Sequence, residues 1–271
     1  MNSLVSAIIP VYIKNDGVLA LFKNTLRGLI SQTYKNIEII LVTNGMTDSE
    51  IKKVSSICND KRIKLYNLKN VKNFSKALNF GFSKSSGDFV NFHDQDDISD
   101  ITKYEKLLAS VGEDGIIASN IYVIKGQEKR LKGFDQNIIM DRFVSRKLVK
   151  APVHYGSLIL KKEIVNDSGG FENVLTADSL FCIKVNLLRY FSLKCKINVI
   201  YNPLFSWIRH SGSITMSNKN AFTQDADKNR NIIIQNHEKI INSSDKEELK
   251  KLMDMKDNLA ECVNIEFNRV L

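Results

Sequence analysis

The sequence predicts an α/β protein with a mostly parallel central sheet flanked by helices. Two observations carry this prediction. Short apolar runs alternate with stretches of helical period through the first 92 residues, and such alternation builds right-handed crossovers between parallel strands. Polar residues also gather just past the ends of those runs, where ligands bind to sheets of this kind.

"SAIIPVY" (6–12) reads as a buried strand. A helix follows over 19–32, in which Leu19, Phe22, Leu26, Leu29 and Ile30 recur at helical spacing. "IEIILV" (37–42) is the second strand, and Asp48 is placed to cap a helix from Ser49 to about Ile57. "RIKLYNL" (62–68) alternates as a third strand. Helix 74–85 carries Phe74, Ala77, Leu78 and Phe82 on one face, and "DFVNF" (88–92) is the fourth strand. Beyond residue 100 the pattern loosens into helix 101–110, strand 115–124, a basic loop near 125–133, strand 154–160, helix 178–191 and strand 196–201. From about 219 the chain reads as two polar helices separated near 242–248. There is no repeat and no low-complexity linker. The expected organisation is one main domain, 1–218, and a helical C-terminal extension, 219–271.

Composition narrows the function. Hydrophobic residues make up 43% and charged residues 25% of the chain, as in a globular interior with a solvated surface. Cys58, Cys182, Cys195 and Cys262 form no CxxC pair, which favours reduced thiols in a cytosolic compartment over disulfides or zinc. No apolar run approaches the roughly 20 residues of a membrane span, and the N-terminus lacks a signal-peptide pattern. The net charge of +9 is spread along the chain without a nucleic-acid-binding motif, so nucleic acid is not expected as a partner. Attraction to an anionic membrane surface or to a phosphate-bearing substrate fits the charge better.

One stretch stands out. "GDFVNFHDQDDISD" (87–100) places Asp94, Asp96 and Asp97 within four positions at the end of the fourth strand, and His93 just before them reads as core-facing. Carboxylates this close repel one another. Acids at a helix N-terminus can act as caps, so the cluster has a purely structural reading as well. Tyr12 and the pair Thr43–Asn44 fall at the ends of the first and second strands and should converge with it.

"SAIIPVY", "SQTYKNIEIILV", "SKALNFG", "SSGDFVNFHDQDD", "SGGFEN" and "WIRHSGSIT" follow one another in this order. In these strings the chain resembles the inverting family 2 glycosyltransferases of the GT-A (Rossmann-like) fold, over about residues 5 to 215. The resemblance implies a nucleoside-diphosphate sugar as donor, with UDP favoured, and a divalent cation, Mn²⁺ or Mg²⁺, on the acidic cluster. Such a cation stabilises the departing diphosphate as a Lewis acid. Mg²⁺ takes only one or two carboxylates, so the three aspartates are not all direct ligands. By resemblance Asp96 is the metal ligand, Asp94 contacts the ribose or the metal's water shell, and Asp97 is a helix cap or a supporting group. His210 matches a histidine that reaches the metal or the diphosphate. Pro10, Val11, Tyr12, Asn44, Lys76 and Gln95 fall on the donor side, and Lys76 or Arg209 can offset diphosphate charge. Asp178 takes the place of the general base that accepts the acceptor hydroxyl's proton; it can also cap the helix starting at Ser179.

Three departures accompany the resemblance. "VTNGMTD" stands where the family has "VDDGSTD", so Asn44 replaces the acid that pairs with uracil, and an amide both donates and accepts. Ala177 occupies the usual glutamate position before the base, and Asn73 replaces a glycine. The implied role is sugar transfer to a glycan hydroxyl in bacterial cell-surface polysaccharide synthesis. The implied acceptor is lipid-linked, which suits a basic protein resting on the inner face of the plasma membrane. A sugar-nucleotide nucleotidyltransferase and a non-catalytic glycan-binding relative are the alternatives. The apolar stripe Leu249, Leu252, Met253, Leu259 and Val263 is expected to pack on its own domain or on a second copy in a homodimer.

Overall fold

A computed structural model describes residues 2–192, 194, 196–213, 219–255, 258–259 and 265–271. The expected fold class holds, with helices on both sides of one large mixed sheet. Its first half is parallel: β1 (Val5–Val11) lies between β2 (Ile37–Asn44) and β4 (Phe89–Phe92), and β3 (Ile63–Leu68) pairs with β2. β1 and β2 are buried along their whole lengths, as strands covered on both faces must be. Helices α1 (Asp16–Ile30), α2 (Asp48–Ser55) and α3 (Phe74–Ser83) make the crossovers.

Each helix start has a chemical reason. Asn15 caps α1 by accepting from Val18 N at 3.0 Å. Thr47, not Asp48, caps α2, in a reciprocal capping box with Glu50. Asn73 caps α3 by accepting from Lys76 N at 2.8 Å, which accounts for the glycine replaced there. Against β1 and β2, Gly81 of α3 admits no side chain: a Cβ would stand 2.4 Å from Ile8 Cγ2.

The second half departs more from expectation. After the short β5 (Ile98–Ser99) and α4 (Lys103–Ser110), β6 (Ile116–Lys125) turns directly into β7 (Glu128–Lys132), the segment read as a basic loop. Its five residues are all exposed, so no burial pattern marks it as a strand. Helix α5 (Gln136–Arg146), capped by Asp135, was absent from the reading, as was α6 (Lys162–Ser168). Strand β8 (Leu158–Lys161) begins later than expected because 155–157 form a 3₁₀ turn. Helix α7 (Ala177–Leu187) leads through a wider turn into β9 (Asn198–Ile208), which runs parallel to β6 and continues past the predicted end at 201. With a last short strand, β10 (Phe267–Arg269), the strand order is β10-β3-β2-β1-β4-β8-β6-β9-β5, with β7 on β6.

The helices expected as an extension fold back onto the rest of the chain. Helices α8 (Lys219–Gln235), α9 (His237–Asn242) and α10 (Lys246–Leu252) share an apolar core with α5 and α7 that includes Ile233, Ile240, Leu249 and Met253. Leu252 and Leu259 pack on the chain's own cores as well; Val263, like Cys195 and Cys262, lies outside the described residues. The extension is not wholly helical, because β10 (Phe267–Arg269) pairs antiparallel with β3. Among the described residues no helix is long and apolar enough to cross a membrane.

One buried carboxylate fastens the amino ends of the parallel strands. Glu38 of β2 accepts from Ser6 Oγ (2.6 Å), Lys64 Nζ (2.6 Å) and Ser86 N (2.6 Å). Burial pushes its pKa up, but the bonds from Lys64, Ser6 and Ser86 outweigh it and the net shift is down. Glu38 is therefore ionised in the fold, and its contribution is complete above the ordinary value of 4.5 and lost as pH falls through the lowered one. Glu38→Gln should cost about 1–3 kcal/mol at neutral pH, and the gap from wild type should close in acid. Urea melts at pH 7 and pH 3 check this, and a gap equal at both values would disprove the assignment.

Candidate active site

The acidic loop hangs from the carboxyl ends of β1 and β4. His93 N still bonds to Ile8 O at 2.9 Å, extending the pairing by one residue before the chain turns. Thr25 of α1 holds the turn from below, with its hydroxyl 2.8 Å from Gln95 O and 2.7 Å from Asp97 O. Gln95 is spent on bracing this junction: its Oε1 accepts from Tyr12 N at 2.7 Å and its Nε2 donates to Tyr12 O at 3.0 Å. Tyr12 is left half-buried at the mouth, with Lys72 and Lys14 ammonium groups 5.0 and 5.6 Å from its ring centre. Buried Asn44 ends β2 beside it, Nδ2 3.5 Å from Val11 O. Pro10 and Val11 are buried within β1. Lys76 sits half-buried in the first turn of α3.

The three aspartates have separate partners. Asp94 Oδ1 accepts a short hydrogen bond from the Tyr155 hydroxyl. Asp96 Oδ2 lies 2.7 Å from His210 Nε2. Because Gly212 N–H points at His210 Nδ1 (3.2 Å), the ring proton is on Nε2 and is donated to Asp96. Asp97 Oδ1 accepts from Ile208 N of β9 at 2.7 Å. That bond overturns the helix-cap reading of Asp97; Asp100 is the residue that serves the start of α4, accepting from Thr102 N at 2.8 Å.

Burial, then the neighbouring Asp96 charge, pushes the Asp94 carboxyl well above the usual range. Burial, then Asp94 and Asp96, does the same to Asp97. The excess of negative charge asks for a cation. His154 completes a group that can hold one: one ligand atom each from Asp94, Asp97 and His154 lie within 4.8 Å of one another. Asp97 Oδ2 is buried with no hydrogen-bond partner among the described residues. Oxygen-rich and carrying such an orphaned oxygen, this donor set fits a hard divalent cation.

In the sequence His154 and Tyr155 carry no signal beyond their place at the start of the expected strand 154–160. Burial, then Lys132 and Lys103, pulls the His154 pKa down to about 3, so its ring is neutral. His93 is fully buried, as expected, and likewise pulled down to about 3 by burial and Lys103. Lys103 was missed too. Its ammonium lies under the loop, donating to Asn91 Oδ1 at 2.9 Å, Ser99 Oγ at 3.2 Å and Gly156 O at 2.5 Å.

Asp178 comes from the other side. Gly169 and Gly170 turn the chain with φ of 71° and 79°, where a side chain would be strained. Asn79 of α3 then grips Phe171 by both its N–H and its carbonyl, each at 2.8 Å. The "SKALN" and "SGGF" strings thus lock together and aim the start of α7. Thr176 is fixed in turn by Asp225, which accepts from its N (2.9 Å) and Oγ1 (2.7 Å). Burial raises the Asp178 pKa, opposed by the N–H groups of Ser179 and of Asp178 itself. Its charge in turn raises Asp94 and Tyr155. Asp178 therefore helps cap α7 and lies close enough to the acidic loop for its charge to be felt at Asp94.

Known proteins share this fold. S. aureus TarS (residues 1–349), solved with UDP-GlcNAc, superposes with a TM-score of 0.64 at 18% identity, covering 96% of this chain and 71% of that one. Mannosyltransferase PcManGT from Pyrobaculum calidifontis, solved with GDP-Man and Mn²⁺, gives a TM-score of 0.55 at 15% identity, covering 94% and 69%. These likenesses show the GT-A fold. In sequence, glycosyltransferase GlyG of Streptococcus pneumoniae is 27% identical over 238 residues, 79% of this chain and 73% of that protein. An uncharacterised glycosyltransferase of Haemophilus influenzae is 36% identical over 110 residues, 39% of this chain and under half (41%) of that one. The sequence model of Glycosyl transferase family 2 matches residues 6–167. With more than half of its length so matched, the chain belongs to glycosyl transferase family 2 and is a glycosyltransferase.

Proposed function

We propose that the protein transfers a sugar, with inversion, from a nucleoside-diphosphate sugar to a hydroxyl of a glycan acceptor. The observation that carries this reading is the nearness of two acidic functions: Asp94, Asp96 and Asp97 at the strand ends, and Asp178 on α7, whose charge is felt at Asp94. TarS with UDP-GlcNAc and PcManGT with GDP-Man and Mn²⁺ support the class of donor. UDP is the favoured nucleotide, read by Tyr12 and Asn44. Asp96 and Asp94, with Asp97 and His154 beside them, would hold Mn²⁺ or Mg²⁺; His210 joins them only by giving up the proton now shared with Asp96. When bound, the cation supplies charge stabilisation for the leaving diphosphate. Asp178 takes the proton of the attacking hydroxyl, and its raised pKa suits a general base working near neutral pH. Residues 1–218 form the catalytic domain in this reading. Its setting is bacterial cell-surface polysaccharide synthesis on the cytoplasmic side of the membrane, with a lipid-linked glycan as acceptor and peripheral contact with the inner leaflet. Leu249 and Met253 are buried in the chain's own core, which leaves them no part in a dimer contact.

Three variants test the roles. Asp178→Asn should lower the transfer rate about 10²–10⁴-fold while nucleotide and Mn²⁺ affinities stay near wild type; weakened donor binding at an unchanged rate per bound complex would move Asp178 to the donor side. Asp96→Asn should weaken Mn²⁺-dependent nucleoside-diphosphate binding in calorimetry, and wild-type affinity that ignores Mn²⁺ would remove the metal from the reading. Asn44→Asp should raise the preference for uridine over cytidine and guanosine diphosphates. An identical ranking in both proteins would show that Asn44 does not read the base.

A further inference from the structure

Residues 125–150 carry eight lysines or arginines against three carboxylates, a net +5 of the chain's +9. Some of these are ordinary surface charges: Lys147 pairs with Glu238 at 3.9 Å, and Lys129 lies over Tyr122 at 3.8 Å. Arg130 and Lys132 differ, because they stand two positions apart on the same face of β7, and the charge of Lys150 reaches Lys132 as well. Although Lys132 is an exposed residue, partial burial of its ammonium against the sheet, then the Lys150 and Arg130 charges, pulls its pKa down. Among the described residues no carboxylate forms an ion pair with any of the three. A cluster of like charges without a counter-charge is destabilising unless a ligand supplies one.

The register of β7 says which way these groups face. Arg130 pairs with Val123 and Lys132 with Ile121, so both side chains lie on the sheet face of Val123 and Ile121. Phe134, Phe205 and Trp207 pack on that face. Lys132 Nζ stands 5.2 Å over the Phe134 ring. The wall continues through His154, 5.1 Å from Phe205 and 5.6 Å from Trp207, with Arg209 5.3 Å over Trp207. Next to His154 is Tyr155, which holds Asp94. A basic cluster thus stands at one end of an aromatic wall whose other end is the acidic site. Strand order places β6, β7 and β9 on the far side of β4 from β2, where Asn44 sits.

We propose that Arg130, Lys132 and Lys150 form the subsite for a phosphate group carried by the acceptor glycan, with Trp207 as the stacking surface for the sugar beside it. Lysine and arginine bind phosphate through charge-assisted hydrogen bonds, and an aromatic face suits the apolar face of a sugar ring. The subsite rests on the transfer reaction proposed above and names the class of its acceptor.

Trp207 is the chain's single tryptophan, so its fluorescence reports on this wall. The full chain is first titrated with UDP and GDP in the presence of Mn²⁺. Failure of both to bind overturns the transfer reading, and the acceptor assignment with it, whatever the anion gives. With the nucleotide site saturated, a hexose 1-phosphate should change Trp207 fluorescence saturably, and the free hexose should bind about tenfold or more weakly. K132E and the double variant R130E/K150E should lose the same factor at an unchanged melting temperature, while K132R keeps the affinity. Equal affinity for hexose and hexose 1-phosphate, or variants that bind like wild type, would overturn the subsite. Binding by these residues to phosphatidylglycerol vesicles or to a single-stranded oligonucleotide, but not to the hexose 1-phosphate, would overturn it in favour of a membrane or nucleic-acid surface.

Discussion

A single buried ammonium underlies the acidic loop and much that surrounds it. Lys103 is fully buried, and burial pulls its pKa well down while Asp97 pulls it up. The hydrogen bonds around it fix its state. His93 Nδ1 faces the Asp94 carbonyl at 2.6 Å and therefore carries the ring proton. His93 Nε2 then accepts from the Ser99 hydroxyl at 3.0 Å, which leaves Ser99 Oγ to accept from Lys103. With Asn91 Oδ1 and Gly156 O also acceptors, all three neighbours demand three N–H donors, the number an ammonium has and an amine lacks. One cation thus ties β4, β5 and the turn bearing His154 and Tyr155 into a single unit. It also sets a positive charge beneath carboxylates that would otherwise share their repulsion alone.

The parallel half of the sheet was legible because burial on two faces writes continuous apolar runs into β1 and β2, and helical period into α1 and α3. The candidate site residues Asp94, Asp96, Asp178 and His210 were picked out by strings that follow one another in order. Much of what sequence reading missed has no local signature. Strand β7 exists by pairing with β6 although none of its residues is buried. Lys103, His154 and Tyr155 matter through neighbours about 10 to 60 positions away, and proximity of that kind is not encoded in spacing. Of the two expectations for Asp97, helix cap or supporting group, the second fits: it clasps the loop to β9.

The departures from the family pattern also gain physical reasons. Ala177 is 1% exposed, so a glutamate there would bury a second charge beside Asp178. Thr43 spends its hydroxyl inside the sheet, 3.0 Å from Asn67 Oδ1. Asn73 gives α3 its side-chain cap, and α3 carries the Asn79 that grips the turn leading to Asp178.

Strand β10 has a consequence for how the molecule is made. It covers the outer rim of β3, with Phe267 tilted against Phe80 at 4.9 Å and capped by Lys84 at 4.2 Å. Its pairing partners stand roughly 200 positions earlier in the chain, so this contact has the highest contact order in the sheet and closes late in folding. Until then β3 is a bare edge of alternating apolar residues, a template for strand addition by any extended neighbour. Copies of the chain crowded together while refolding would meet first at that rim, and the finished protein hides the place where it was most adhesive.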